Sequence, residues 1–113
     1  MTLPFPALLL LALTTATASA APAPAPRIFL AGDSTMANKP LDLPERGWGM
    51  ALGAFFVDAV RVHNHAMNGR STKSFIDEGR WAKLAGELER GDVVIIQFAH
   101  NDEKKEDPKR YAE

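Results

Sequence analysis

Arg27-Ile28-Phe29-Leu30-Ala31-Gly32-Asp33-Ser34-Thr35 is the stretch that decides the fold class. Ile28 to Ala31 is an unbroken apolar run, rich in strand formers, that ends at Gly32. A strand wetted on one face alternates apolar and polar side chains. One covered on both faces does not, and strands of parallel sheets are of that second kind. Val93-Val94-Ile95-Ile96-Gln97-Phe98, opened by Gly91-Asp92, repeats the pattern. Between the two, Val60-Arg61-Val62-His63-Asn64-His65-Ala66 alternates instead, which suits a position with one less buried flank, such as a sheet edge.

Helical spacing fills the gaps. Trp81, Leu84, Ala85 and Leu88 stand at i, i+3, i+4 and i+7, Lys83 and Glu87 form an i,i+4 pair on the other face, and Gly91 is placed to stop the helix. Gly86 in its interior costs about 1 kcal/mol relative to Ala. An earlier helix is expected around Gly49 to Asp58, with Leu52, Phe55 and Phe56 on one side. Strand, helix, strand, helix, strand is βαβαβ, which implies right-handed crossovers and a three-layer α/β/α sandwich around a parallel sheet.

Working outward, Ala21 to Pro26 reads Ala-Pro-Ala-Pro-Ala-Pro and lacks a backbone donor at every second position, so it is expected to be an extended spacer. Met1 to Ala20 carries no charged side chain, holds the run Ala7-Leu8-Leu9-Leu10-Leu11-Ala12-Leu13 and ends in Ala18-Ser19-Ala20, the small-x-small pattern of a signal-peptidase site. The expectation is a cleavable signal peptide over 1–20 and a secreted or periplasmic protein. The apolar run is too short for a membrane span of ~20 residues. The domain then occupies 27–113. Three strands and two crossovers are about half of a doubly wound sheet, and the chain closes in a charged run from Glu103 to Glu113. An amino-terminal part of a longer protein, with a solvated final loop, is therefore expected.

The 113 residues contain 13 Lys+Arg and 14 Asp+Glu, a formal net charge of −1, and no Cys. Such a balance offers no basic stripe for phosphate backbones and no polybasic patch for lipid, so neither nucleic acid nor a membrane is an expected partner. Without disulfides the fold must hold by its core.

In an open parallel sheet, ligands bind beyond the carboxyl ends of the strands. Gly32-Asp33-Ser34-Thr35 follows the first strand, Asn68-Gly69-Arg70-Ser71-Thr72-Lys73-Ser74 the second, and Ala99-His100-Asn101-Asp102 the third. Three polar clusters thus fall on one rim. Acyl transfer needs an exposed nucleophile on a tight turn, which Ser34 behind Gly32 supplies. It also needs donors aimed where the oxyanion forms, and the Gly69 N–H and the Asn101 side-chain amide are suitable. Asp33, Trp48, Arg70 and His100, which accompany these groups, are the candidates for touching substrate. The same residues have plainer uses: Ser34 and Asn101-Asp102 as turn or cap residues, Gly69 as a positive-φ turn residue, Trp48 as packing. His63, His65 and His100 have no carboxylate at ligand spacing, so neither a metal nor a cofactor is expected. Gly-x-Ser-x-Gly is absent, which excludes the α/β-hydrolase elbow. No phosphate-binding Gly-x-x-x-x-Gly-Lys loop occurs either, and Gly47-Trp48-Gly49 does not complete a dinucleotide fingerprint.

Gly32-Asp33-Ser34, an isolated Gly69 and His100-Asn101-Asp102 resemble the first three blocks of the SGNH (GDSL) hydrolases. Asn68-Gly69-Arg70-Ser71-Thr72-Lys73-Ser74-Phe75, with Arg46-Gly47-Trp48-Gly49 before it and Glu78-Gly79-Arg80-Trp81 after, is similar to the rhamnogalacturonan acetylesterase branch. The resemblance spans about Arg27 to Tyr111. It implies a flavodoxin-like sheet with the second strand at an edge, and a serine esterase that deacetylates pectic rhamnogalacturonan or a similar acetylated polysaccharide. It makes Ser34 the nucleophile and, through its own N–H, an oxyanion donor beside Gly69 and Asn101. Two departures stand out. Ala99 replaces the Gly that usually precedes His100, and the Asp-x-x-His that carries the family's base occurs nowhere in the chain. A serine without an adjacent base is a weak nucleophile at neutral pH, so these 113 residues alone are expected to turn over little or nothing. The competing expectation is a non-catalytic glycan-binding protein on the same fold.

Overall fold

The computed structural model describes residues 20–113, so the expected leader lies outside the described residues except for Ala20. Ala21 to Pro26 are exposed and belong to no helix or strand. Strand β1 (Arg27–Gly32), strand β2 (Arg61–Asn64) and strand β3 (Val93–Gln97) form a parallel sheet in the order β2-β1-β3. Phe29 lies opposite His63 and Val94, and Leu30 opposite Asn64 and Ile95. The alternating strand β2 pairs with β1 alone, at the margin its pattern called for, but so does β3, whose continuous apolar run implied cover on both faces: Val93 is 47% and Ile96 57% exposed, because no strand pairs with its outer edge among the described residues.

β1 is buried from Ile28 through Gly32, as its continuous apolar run requires. Successive side chains point to opposite faces. Ile28 and Leu30 pack with Met36, Ala37 and Ala66 on one side, joined by the half-buried Leu52, Val60, Val62 and Ile95. Phe29 and Ala31 pack with Phe75 and Leu84 on the other, joined by Leu88, Val94 and Phe98. Two apolar clusters on opposite faces of one strand are the core of a three-layer α/β arrangement. At the far end of the sheet, Arg27 donates to Asp92 from Nε (3.0 Å) and Nη2 (2.6 Å), locking the start of β1 to the start of β3. That hydrogen-bonded guanidinium holds the Asp92 carboxyl down to about 2.

The second crossover contains two helices, α1 (Thr72–Asp77) and α2 (Arg80–Glu87). α1 was not apparent in the sequence pattern. It begins with a reciprocal cap in which Ser71 Oγ accepts from the Ser74 N–H (3.1 Å) and Ser74 Oγ from the Ser71 N–H (2.9 Å). α2 follows Gly79, whose φ of +72° suits glycine. Its buried face is narrower than the spacing suggests: Leu84 is fully buried and Leu88 half-buried, whereas Trp81 and Ala85 remain exposed.

The helix expected around Gly49 to Asp58 does not form. Two 3₁₀ turns, Trp48–Met50 and Leu52–Phe55, take its place. The reason is close backbone packing. A Cβ on Gly47 would lie 1.9 Å from the Ala37 carbonyl oxygen, and one on Gly49 would lie 2.5 Å from the Met36 carbonyl oxygen. The Trp48 and Gly49 N–H groups donate to Thr35 O (3.0 Å) and Met36 O (3.2 Å), so the segment is clamped to the turn that follows β1. Only Leu52 of the expected apolar face reaches the core, and Phe55 stays 81% exposed. The terminal charged run also departs from a purely solvated loop. It forms successive turns, returns to the third rim cluster through Ala112 N–H to Asp102 O (3.1 Å), and half-buries Arg110 and Tyr111.

Candidate active site

The three loops that leave the carboxyl ends of the strands meet on one rim, and hydrogen bonds tie them together. After β1, the Asp33 side chain turns inward, 3% exposed, and its Oδ1 accepts from the Thr35 N–H and hydroxyl, both at 2.9 Å. The Asp33 carbonyl accepts from the Met36 (3.2 Å) and Ala37 (3.0 Å) N–H groups. This single tight turn leaves Ser34 half-buried at its corner. Gly32 admits the turn because a Cβ there would lie 2.8 Å from both Gln97 O and Met36 Sδ.

After β2, the backbone continues its ladder past the strand, with His65 N–H to Leu30 O (2.9 Å) and Met67 N–H to Gly32 O (3.0 Å). Asn64 secures the exit by donating from Nδ2 to Met36 O (3.0 Å) while its Oδ1 accepts from the Ala66 N–H (3.1 Å). Arg70 N–H then bonds Met67 O (3.3 Å) across a turn in which Gly69 has φ +75°. Among the described residues the Gly69 N–H meets no backbone carbonyl.

After β3, Asn101 is 3% exposed and held at both ends of its amide. Nδ2 donates to Arg70 O (3.0 Å), and Oδ1 accepts from Arg110 Nη1 (3.3 Å). Its neighbour Asp102 accepts through Oδ1 from the Thr72 N–H (3.0 Å) and from the Thr72 hydroxyl. The second and third loops are thereby bound to one another, which joins Gly69 and Asn101 to the same small region.

The remaining candidates occupy varied positions. Trp48 lies at the rim, 38% exposed, with its indole Nε1 donating to Gln97 Oε1 (2.6 Å) at the end of β3. The Arg70 guanidinium is bonded to Glu78 (3.1 Å and 3.2 Å) and to Asn68 O (2.9 Å). Hydrogen bonds from Arg80 and Arg70 hold the Glu78 carboxyl below its usual range. His100 is exposed. His63 and His65 belong to the packing of β1: His63 stacks on Phe29 with ring centroids 4.6 Å apart, and His65 stacks on it at 5.8 Å while its Nε2 lies 3.4 Å from Glu87. Among the described residues no imidazole is hydrogen-bonded to Ser34, and no group of three or more His, Asp or Glu side chains could hold a metal ion. Arg110 and Gln97 were not found from the sequence, whereas Asp102, read there as a turn or cap residue after β3, caps the start of α1 through Thr72. The one available signal was the Asp107-x-x-Arg110 pair within the charged run, which the structure closes at 2.5 Å.

This geometry offers a half-buried serine at the corner of a turn, together with a free-standing glycine N–H and a fixed carboxamide of the kind that acyl transfer uses to bind an oxyanion. No family model matches the chain. Curated relatives do. The rhamnogalacturonan acetylesterase RhgT of Bacillus subtilis strain 168 is 45% identical over 87 residues, which cover 76% of this chain and 38% of the relative. The probable rhamnogalacturonan acetylesterase YesY of the same organism is 40% identical over 86 residues, 76% of this chain and 40% of the relative. A rhamnogalacturonan acetylesterase of Emericella nidulans is 44% identical over 77 residues, 66% of this chain and 28% of the relative. The chain thus spans about two fifths or less of the length of the relatives it matches. Over about three quarters of its length the chain is similar to rhamnogalacturonan acetylesterases, and its parallel α/β sheet is of the kind that this similarity implies.

Proposed function

We propose that the full gene product is a secreted or periplasmic serine esterase that removes acetyl groups from rhamnogalacturonan or a similar acetylated polysaccharide. The observation that carries this reading is the buried, doubly held carboxamide of Asn101 on the same rim as Ser34 and Gly69. The relatives' names supply the acetyl ester and the glycan, and the apolar leader Met1 to Ala20 supports export.

In the proposed reaction Ser34 Oγ attacks the acetyl carbonyl carbon. The new C–O bond pushes the carbonyl π electrons onto oxygen, and the Ser34 and Gly69 N–H groups with the Asn101 amide stabilise that oxyanion. Collapse expels the sugar oxygen, which takes up the proton that Ser34 gave to a base; water then loses a proton to that base as it attacks the acyl-serine, releasing acetate and restoring the Ser34 hydroxyl. The proton of Ser34 needs a base, which the three histidines of this chain do not supply from where they stand. Loss of one oxyanion donor typically costs 10²- to 10³-fold in turnover. Trp48, exposed at the rim, is the proposed surface for a sugar ring.

The test is acetate release by the full gene product from acetylated rhamnogalacturonan and, in parallel, acetylated xylan. Faster release from the first supports the reading, faster release from the second moves the substrate assignment, and release from neither refutes it. Because no Asp-x-x-His occurs in the chain, a non-catalytic glycan-binding role is the second reading. The gene sequence downstream of the Glu113 codon separates the two: an Asp-x-x-His there favours the esterase, a stop codon the binding protein.

A further inference from the structure

We propose that Arg110 is a positioning residue for the oxyanion-binding amide of Asn101, an inference that rests on the esterase reading. A carboxamide can bind an oxyanion only through its NH₂ end, and its two ends are nearly equal in shape. Burial alone does not choose between them. Here Arg110 Nη1 donates to Asn101 Oδ1 while Asn101 Nδ2 donates to Arg70 O. Rotating the amide by half a turn would set NH₂ against a guanidinium, donor on donor, and Oδ1 against a carbonyl, acceptor on acceptor. The two contacts therefore specify one orientation, with the second Nδ2 proton left for substrate.

Arg110 is itself held. Its Nε donates to Asp107 Oδ2 (2.5 Å), and its backbone N–H bonds Asp107 O (3.0 Å). The Asp107 carboxyl lies below its usual range because of the Arg110 side-chain hydrogen bond. A Cβ built on Gly69 would come 4.0 Å from Arg110 Nη1, so the guanidinium borders both donors that Ser34 does not itself provide. Ala112 N–H to Asp102 O closes the segment onto the third rim cluster. A charged run that reads as a solvated loop thus delivers one cation to the back of the amide.

The experiment is a double-mutant cycle in the full gene product, with 4-nitrophenyl acetate as probe. Arg110→Ala is expected to lower kcat about tenfold to a hundredfold, less than outright loss of a donor, with KM within about twofold. Arg110→Lys recovers part of this, since an ammonium can reach Oδ1 but cannot span Oδ1 and Asp107 as the planar fork does. In an Asn101→Ala background, Arg110→Ala changes kcat by less than about twofold, because its effect passes through the amide. An unchanged kcat in the Arg110→Ala variant, or the same loss in both backgrounds, overturns the proposal. If Arg110→Ala does not fold, Asp107→Asn, which loosens the guanidinium, is expected to act in the same direction with a smaller effect. A second readout needs no activity: the Asn101 side-chain amide protons in a ¹⁵N–¹H spectrum of the same protein shift, and exchange at least about tenfold faster, when Arg110 is replaced by Ala or Lys. Unchanged amide signals overturn the proposal. Absence of acetate release by the unmutated protein refutes the esterase reading instead, and the amide signals then decide the Arg110 contact separately.

Discussion

Asp102→Ala removes the carboxylate that ties the turn after β3 to the start of α1. Two hydrogen bonds are lost, from the Thr72 N–H and the Thr72 hydroxyl, both to an ionised acceptor at a part-buried position. Bonds of this kind contribute about 1.5 to 3 kcal/mol each where water is excluded. Thr72 is half-buried, so water replaces part of the loss, and the expected destabilisation is about 2 to 3 kcal/mol. In a full gene product of the relatives' size each kcal/mol moves Tm by about 2 to 4 °C, so Tm should fall by roughly 4 to 12 °C. Asp102→Asn keeps an oxygen at Oδ1, and Oδ2 is buried without a partner among the described residues, so only the charge assistance is lost, about 1 kcal/mol. Thr72→Val should cost a similar amount, and combined with Asp102→Ala it should fall short of additivity by at least about 0.5 kcal/mol. The assay is urea and thermal denaturation of the four variants. An Asp102→Ala variant within about 0.5 kcal/mol of the parent, or strict additivity with Thr72→Val, would refute the assignment of Asp102 as the link between the two loops.

Further outcomes follow from other parts of the fold. Gly47→Ala should destabilise by about 3 kcal/mol, the upper end for overpacking, because its Cβ meets a backbone carbonyl that cannot rotate away; urea midpoints measure this. Leu84→Ala should cost about 2 to 5 kcal/mol in the same assay, since Leu84 is the one fully buried side chain of α2. Asp92 has an ordinary value of 3.8 and is held at about 2 by Arg27, so its folded-state pKa is depressed. Its contribution is therefore present above pH 4 and is lost as the pH falls toward 2. The urea midpoint should drop across that window, and an Asp92→Asn variant should lack that component of the drop.

Burial leaves a direct trace at β1, where Ile28 to Ala31 is uniformly apolar and covered on both faces, and at β2, where Val60 to Ala66 alternates beside a single neighbour, but not at β3, whose equally continuous apolar run also meets one neighbour and leaves Val93 and Ile96 exposed. The rim followed from topology, since parallel strands send every carboxyl end the same way. Periodicity misled at Gly49 to Asp58, where three apolar residues hold helical spacing but the glycines at 47 and 49 are pressed against the backbone of Met36 and Ala37. It also missed α1, whose signal is a Ser-x-x-Ser cap within a cluster read for its chemistry. Arg110 was not legible because nothing local sets its partner: Asp107 is visible three residues away, but the contact with Asn101 depends on how the final turns fold back.

The central claim is that Ser34, on its turn behind Gly32, is the nucleophile of an acetylesterase. Acetate release from acetylated rhamnogalacturonan by the full gene product, measured beside its Ser34→Ala variant at matched folded concentration, tests it most directly. The account predicts release by the parent and a loss of at least about 10³-fold in the variant, as befits removal of an attacking group. Equal release by the two proteins would contradict it.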